Sequence, residues 1–230
     1  MRTRILLLVV SLAVGGCSAS AEPGVSLTAE LVTPVDVELR WTGTDPAAAG
    51  QIVEFATEPQ GAYTILQFVP PGQTTYQHPD LMPETTFYYR VRPFYGAASA
   101  PLDVTLPPGD YSEKDQENDH EWAPPKVVPG AAAEKQPSRT AVPTDFAAKV
   151  MHANGIRFTW TDHANDEEGY LLEVEPQGGT EFTQAMVMEP DVNSVGLITL
   201  PEEKSATYRV RPFRYGPASS VPHQLTGRAP

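Results

Sequence analysis

Apolar and polar side chains alternate along most of this chain, and the alternation predicts short, half-buried β-strands. Every second residue is apolar in residues 25–31 and again in residues 35–41, which is the period of a strand with one buried face. Further strand-like runs occur at residues 51–55, 63–69 and 75–78. The 24 prolines and 17 glycines provide frequent turns between such runs. The pattern therefore predicts an all-β protein.

One stretch of sequence occurs twice. Residues 90–94 and 209–213 both read Arg-Val-Arg-Pro-Phe, and the same offset of 119 positions relates Trp41 to Trp160 and Glu54 to Glu173. A register kept over so long a stretch requires a shared fold. We therefore predict two copies of one domain, at residues 24–107 and 144–227.

The repeated segments resemble a known family of β-sandwiches. Residues 81–92, Leu-Met-Pro-Glu-Thr-Thr-Phe-Tyr-Tyr-Arg-Val-Arg, resemble the E–F corner and F strand of a fibronectin type III domain. Residues 160–173 resemble the Trp-x-Asp and Glu-x-Gly-Tyr-x-Leu-Glu run of bacterial fibronectin type III domains. The resemblance implies two immunoglobulin-like sandwiches of seven strands each. The last strand of the first sandwich is then expected at residues 102–106.

The copies depart from the family at one position. The tyrosine that usually pins the E–F corner is replaced by Phe87 in the first copy and by Ala206 in the second. We expect both corners to be held by packing alone. On the neighbouring strands C and F, Glu54 should face Arg90 or Arg92, and we interpret these charges as structural cross-strand pairs rather than as a ligand clamp.

The start of the chain predicts export and lipid attachment. Residues 1–16 combine two arginines, an apolar run and small residues, as in a secretory signal peptide. The single cysteine follows in the sequence Val-Gly-Gly-Cys, which resembles a bacterial lipobox with Cys17 as the acylated residue. The alternative is an ordinary signal peptide with a removed or free cysteine. Lipidation would place the protein in the bacterial cell envelope, on the outer membrane if the cell has one, with residues 17–23 as a short tether.

The segment between the copies, residues 108–143, is predicted to be a flexible linker. Its first half is acidic and its second half is rich in proline and alanine, so neither half buries enough apolar area to offset its chain entropy. Trp122 is the exception. This side chain either docks on a domain or stays exposed for recognition.

The charge excludes one class of partner, and the motifs favour no chemistry. A formal net charge of −13 disfavours nucleic acid. The oxygen-rich loop from Asp162 to Glu168 invites a calcium interpretation but lacks the spacing of a known calcium loop. We expect neither a metal site nor a cofactor. Catalytic motifs are likewise missing from the sequence, so we expect no enzyme.

The fourth strand of the first copy is the predicted contact surface, because it is apolar on both faces. Tyr63, Leu66 and Phe68 are its candidate binding residues, and an edge strand of this kind accepts another strand or docks on a neighbour. The sequence thus favours a membrane-anchored spacer or protein-interaction module with an unidentified protein or cell-wall partner. A carbohydrate-binding module is the alternative, with Trp122, Tyr88 or Phe94 as stacking residues, and an accessory subunit of an extracellular enzyme is a third.

Overall fold

A computed structural model describes residues 24–110, 120–129 and 133–228. The chain is all-β, as the alternation predicts, and its strands form two sandwich units related by the repeat. Among the described residues, no helix is long and apolar enough to span a bilayer. Cys17 and the rest of the predicted leader and tether lie outside the described residues.

The first unit contributes six strands of its own. They are β1 (Ser26–Thr33), β2 (Asp36–Thr42), β3 (Gly50–Ala56), β4 (Thr64–Val69), β5 (Thr75–His78) and β6 (Thr86–Tyr95). One sheet has the order β1-β2-β5, and the other contains β4-β3-β6. Alternate apolar residues of both sheets meet in a core around Trp41, which is 2% exposed.

The second unit repeats this arrangement. After β7 (Leu102–Thr105), its strands are β8 (Thr144–His152), β9 (Gly155–Thr161), β10 (Gly169–Pro176), β11 (Thr183–Met188), β12 (Ser194–Ile198) and β13 (Ser205–Tyr215). A short 3₁₀ turn at Pro201–Glu203 precedes β13. The sheets run β8-β9-β12 and β11-β10-β13, and Trp160 lies in their own separate core.

The seventh strand of each unit comes from the other half of the chain. β7 follows β6 directly in sequence, yet it pairs with β13 of the second unit, from Leu102 opposite Tyr208 to Thr105 opposite Ser205. The last strand, β14 (His223–Leu225), pairs with β6 of the first unit. The predicted domain boundaries are therefore wrong at both closing strands, because each strand completes the opposite sandwich.

The exchange produces one long antiparallel ribbon. Residues 86–106 run alongside residues 205–226, and the two segments cross where Tyr95 pairs with Arg214 and Phe94 with Tyr215. Two buried serines continue the ladder on either side of the crossing. The Ser99 N–H donates to the Val210 carbonyl at 2.8 Å, and the Ser219 N–H donates to the Val91 carbonyl at the same distance.

A third apolar cluster lies between the units. It is formed by residues on the outer faces of the two sheets that contain β6 and β13: Ile52, Phe68, Phe94, Leu171 and Phe213. The ring centroids of Phe68 and Phe213 are 4.9 Å apart in an edge-on arrangement. Each unit therefore keeps its own core, and the ribbon and this cluster join the two units into one body.

Candidate functional site

The predicted contact strand is covered by the second unit. Phe68 is 2% exposed and packs against Phe94 and Phe213 in the cluster between the units. The Phe68 N–H also donates to the side-chain oxygen of Gln184 on β11 at 2.9 Å. The strand therefore docks on a neighbour within its own chain, and Phe68 offers no free surface to another molecule.

The other two patch residues are also engaged within the first unit. The pairing of β3 with β4 shifts register between Val53 and Glu54, so strict alternation fails along β4. As a result Leu66 packs against the core of the first unit instead of sharing an outward face with Phe68. The ring of Tyr63 lies 4.0 Å beneath the Arg90 guanidinium.

A small cavity remains where the two units meet. Its volume is about 210 Å³, and its lining includes Phe68, Leu171 and Phe182 together with the ion pair of Glu173 and Arg209. Drug-sized ligands usually occupy cavities of about 300 Å³ or more. Since Glu173 and Arg209 already bind each other, we interpret this space as a packing defect of the interface.

Each unit contains the predicted cross-strand ion pair, but the carboxylate is buried and lies between two arginines instead of pairing with one of them. Glu54 is 1% exposed, and its oxygens accept from Arg90 Nε at 2.6 Å and Arg92 Nη2 at 2.8 Å. The arrangement satisfies a buried charge within the sheet. It has the features of a structural cross-strand pair, because the carboxylate faces guanidinium groups on the next strand.

In the equivalent cluster of the second unit, one arginine, Arg211, is more deeply buried than its counterpart Arg92. Glu173 accepts from Arg209 Nε at 2.7 Å and Arg211 Nε at 2.8 Å. Arg211 also donates to the carbonyl of Gly96 in the crossing segment, at 2.9 Å. Burial lowers the pKa of the Arg211 guanidinium, which Glu173 opposes. This cluster therefore ties the ribbon crossing to the second unit.

The E–F corners differ from the prediction in one unit. Tyr208, which is fully buried, donates its hydroxyl to the Glu203 carbonyl at 2.9 Å. The hydroxyl that pins the corner thus comes from the tyrosine two residues after Ala206, and the expectation of packing alone is wrong there. In the first unit the equivalent Tyr89 instead contacts His78 Nδ1 at 3.2 Å.

The described parts of the predicted linker lie against the second unit. Lys126 forms an isolated bridge with Ser194, and the Gly196 N–H donates to the Ala123 carbonyl at 2.9 Å. The prediction of a flexible linker is wrong for this segment, because pairing with the edge of β12 satisfies its backbone groups. The apolar area it lacks is replaced by ladder hydrogen bonds and by one aromatic anchor.

That anchor is Trp122, which docks. Its indole lies over two glycines of the second unit: a methyl group added at Gly196 or Gly155 would meet the ring at 2.5 Å or 2.7 Å. His120 stacks on the indole, and His152 contacts it edge-on at 5.6 Å between ring centroids. Of the two alternatives for Trp122, the structure supports docking, with the half-buried indole held against the second unit.

In the loop after Trp160, Asp162 and Glu167 lie together with Asp191, and their carboxylate oxygens are within 4.8 Å of one another, close enough to hold a metal ion. Two acids of the loop also bind groups of the protein itself. Asp166 accepts from the Ser138 N–H and hydroxyl at 2.8 and 2.6 Å, and these bonds lower its pKa. Asp162 pairs with Lys135 at 2.5 Å and accepts from the Tyr170 hydroxyl. Asp162 and Asp166 therefore help to hold the linker and the turn in place.

A further cavity is an open groove of the second unit. It has a volume of about 840 Å³ and lies between β11, β12 and the segment around His120. Met186, Leu197 and Leu200 form its apolar wall. Glu203 also lines it, and burial raises the pKa of this carboxyl although the Leu200 N–H bonds to it at 2.8 Å.

Comparisons with known proteins find similarity only among solved structures. No family model matches the sequence, and no curated protein matches it. Among solved structures, the chain is similar to the FN1–FN3 domains of chicken CNTN1, with 16% identity, 89% of this chain and 67% of that chain covered, and a TM-score of 0.28. It is also similar to a two-domain fibronectin type III segment of chicken tenascin, with 12% identity, coverage of 89% and 99%, and a TM-score of 0.29.

The strand order defines the class of protein to which this fold belongs. In each unit a three-stranded sheet packs on a four-stranded sheet whose closing strand lies beside the long strand β6 or β13. This is a fibronectin type III-like sandwich, present twice. Sandwiches of this kind serve in many proteins as binding or spacing elements, and the fold alone does not specify a ligand.

Proposed function

We propose that this protein is a lipid-anchored, extracytoplasmic and non-enzymatic spacer or interaction module of the bacterial envelope. The observation that carries the proposal is the ribbon of residues 86–106 and 205–226, which joins two binding-type sandwiches into one body. A fixed body on a short anchor presents a surface at a constant distance from the membrane. Two freely jointed domains would not do so.

The anchor is tested at Cys17. We expect Cys17→Ser to move the protein from the membrane fraction to the soluble fraction and to abolish incorporation of labelled palmitate. The matched control is Ser18→Ala, which leaves the acylated residue in place and should leave the protein in the membrane. Retention of the Cys17→Ser variant in the membrane fraction would contradict lipid anchoring through this residue.

The single body is tested by cutting the chain between the units. A specific protease site placed between residues 112 and 116 separates the first unit with β7 from the second unit with β14. Because each fragment holds a strand of the other, we expect the cut protein to elute as one complex and to separate only in denaturant. Independent elution of two folded fragments would contradict the proposal of a single body.

A carbohydrate-binding module remains a second candidate because of one surface feature. Tyr88 is partly exposed on the outer face of the first unit, and its ring lies 5.5 Å from that of His223. Aromatic rings on a flat sheet face can stack on sugars. If this face binds glycans, Tyr88→Ala should lose retention on immobilised peptidoglycan, whereas the equivalent change Thr207→Ala in the second unit should not. The buried Phe94 takes no part.

A further inference from the structure

The two exchanged strands are held in different ways. After the single inserted residue Arg214, the repeat relates Val104 of β7 to Gln224 of β14, and Leu106 to Thr226. Val104 and Leu106 belong to the apolar core of the second unit. Among the described residues, the core of the first unit contains none from the C-terminal arm, which we define as residues 216–228.

The arm is fixed to the first unit mainly by hydrogen bonds. Gln224 Nε2 donates to the Ala29 carbonyl at 2.5 Å, and the Thr226 hydroxyl donates to the Met82 carbonyl at 2.6 Å. Its apolar side chains point outward instead: Leu225 is 60% exposed and Val221 is 43% exposed. Water replaces such hydrogen bonds at little net cost, so the arm separates from β6 more easily than β7 separates from β13.

The sequence of the arm favours an extended backbone over a backbone that turns back on its own unit. Gly216 and Val221 both precede prolines, and residues before proline prefer extended backbone. The arm is covalently part of the second unit, yet its strand pairs are all with the first unit. The edge of β6 therefore pairs with any arm that has this sequence and shape. The arm can belong to the same molecule or to another copy of the chain.

Charge adds to this complementarity between copies. The chain has a formal net charge of −13, but Arg228 is the only formally charged residue in the arm. Arg228 Nε pairs with Glu84 of the first unit at 3.0 Å. An arm entering from another molecule thus brings a positive group to an acidic body, which reduces the repulsion between two copies.

We propose that two copies of this chain exchange their C-terminal arms, so that each arm completes the first unit of the other copy. The strand pairs, the hydrogen bonds of Gln224 and Thr226 and the ion pair of Arg228 are all remade in such a dimer. Reciprocal exchange of an identical element is a low-cost route to a twofold dimer for this reason. The proposal concerns the folded units alone and does not depend on the anchor or on the proposed function.

The test traps the arm on β6 with a disulfide. Tyr88 and His223 are strand partners with adjacent rings, so both are changed to cysteine in a chain that also carries Cys17→Ser. The protein is incubated at a series of concentrations, oxidised and run on non-reducing gels. We expect disulfide-linked dimer, with a dimer-to-monomer ratio that rises about tenfold for a tenfold increase in concentration while dimer is the minor species.

The repeat provides a matched control at the other closing strand. Asp103 and Thr207 are the equivalent partners on β7 and β13, and a cysteine pair there should give only an intramolecular disulfide, because Val104 and Leu106 hold β7 in the core. Single-cysteine variants measure random crosslinking between surfaces. Purely intramolecular disulfides from the Tyr88 and His223 positions at every concentration would overturn the proposal.

A second measurement avoids introduced cysteines. Two differently tagged copies of the Cys17→Ser chain are mixed, and the formation of mixed dimers is followed over time. Gln224→Val with Thr226→Leu copies the residues of β7 and should slow mixing at least about tenfold, because two apolar side chains must leave the core first. Mixing that does not occur, or that is unchanged by these substitutions, would also overturn arm exchange.

Discussion

The two units share a framework and differ in how they are closed. Both retain the buried tryptophan, the carboxylate between arginines and the strand order. The second unit is closed by an apolar strand and a corner pinned by Tyr208, whereas the first is closed by a polar strand and has no such corner bond. The comparison teaches that the duplicated residues fix the sandwich, while the strand that crosses from the other half determines how firmly each copy is completed.

The largest expected difference in stability between the two units comes from their buried charge clusters. Glu173→Ala leaves Arg211, whose side chain is 8% exposed, without its carboxylate. Removing one partner from a buried ion pair costs about 3–5 kcal/mol. Glu54→Ala should cost less, because Arg90 and Arg92 are 25% and 18% exposed and reach water. Urea denaturation measures both, and equal losses would contradict the difference in burial.

The second largest difference in stability is expected between the two closing strands. Leu106→Ala removes a buried side chain from the core of the second unit and should lower the free energy of unfolding by about 2–5 kcal/mol. The equivalent Thr226→Ala loses only hydrogen bonds, including that of the Thr85 N–H at 2.9 Å, and should cost about 1–2 kcal/mol. A larger loss for Thr226→Ala in urea denaturation would show that the arm is the more firmly held strand.

The smallest expected difference between the units is in how their stability depends on pH. His78 of the first unit corresponds to Leu197 of the second, and burial lowers the pKa of His78 below its usual 6.5. A lowered folded-state pKa gives stability that is present above pH 6.5 and is lost as the pH falls through the folded value. The protection factors against hydrogen exchange in β2, β5 and β6, which correct for the slower intrinsic exchange in acid, should therefore fall on acidification, more than those in β9, β12 and β13.

The variant His78→Leu copies the second unit and should abolish this acid sensitivity. Glu203 in the second unit has a raised pKa, so its contribution is lost as the pH rises and not as it falls. An equal fall of the protection factors in both units, or acid sensitivity that survives His78→Leu, would show that the response comes from other groups.

The sequence predicts the sandwiches because the alternation and the repeat report on local structure. It does not predict the exchange, because β7 and β14 occupy equivalent places in the repeat and both closing sites have the same strand neighbours. Closing within one unit or across to the other therefore satisfies the same pattern. The contrast of Val104 and Leu106 with Gln224 and Thr226 is visible in the sequence, but it gains meaning only once the partners of each strand are known.

The faces of the predicted contact strand differ from the prediction for another reason. Alternation assigns faces correctly only while the register is continuous, and the shift between Val53 and Glu54 changes the face on which Leu66 lies. The apolar character of Phe68 was a genuine signal of contact. The sequence could not show that the contacting surface belongs to the same chain.

The long ribbon has a consequence for the order in which the protein is made and folded. β6 emerges early, but the strand that covers its edge ends at Leu225, more than a hundred residues later. Pairing between segments so distant in sequence forms slowly. Until the pairing forms, the uncovered edge of β6 promotes aggregation. The first sandwich is therefore completed last, and a nascent chain needs protection along β6 until its C-terminal residues have been made.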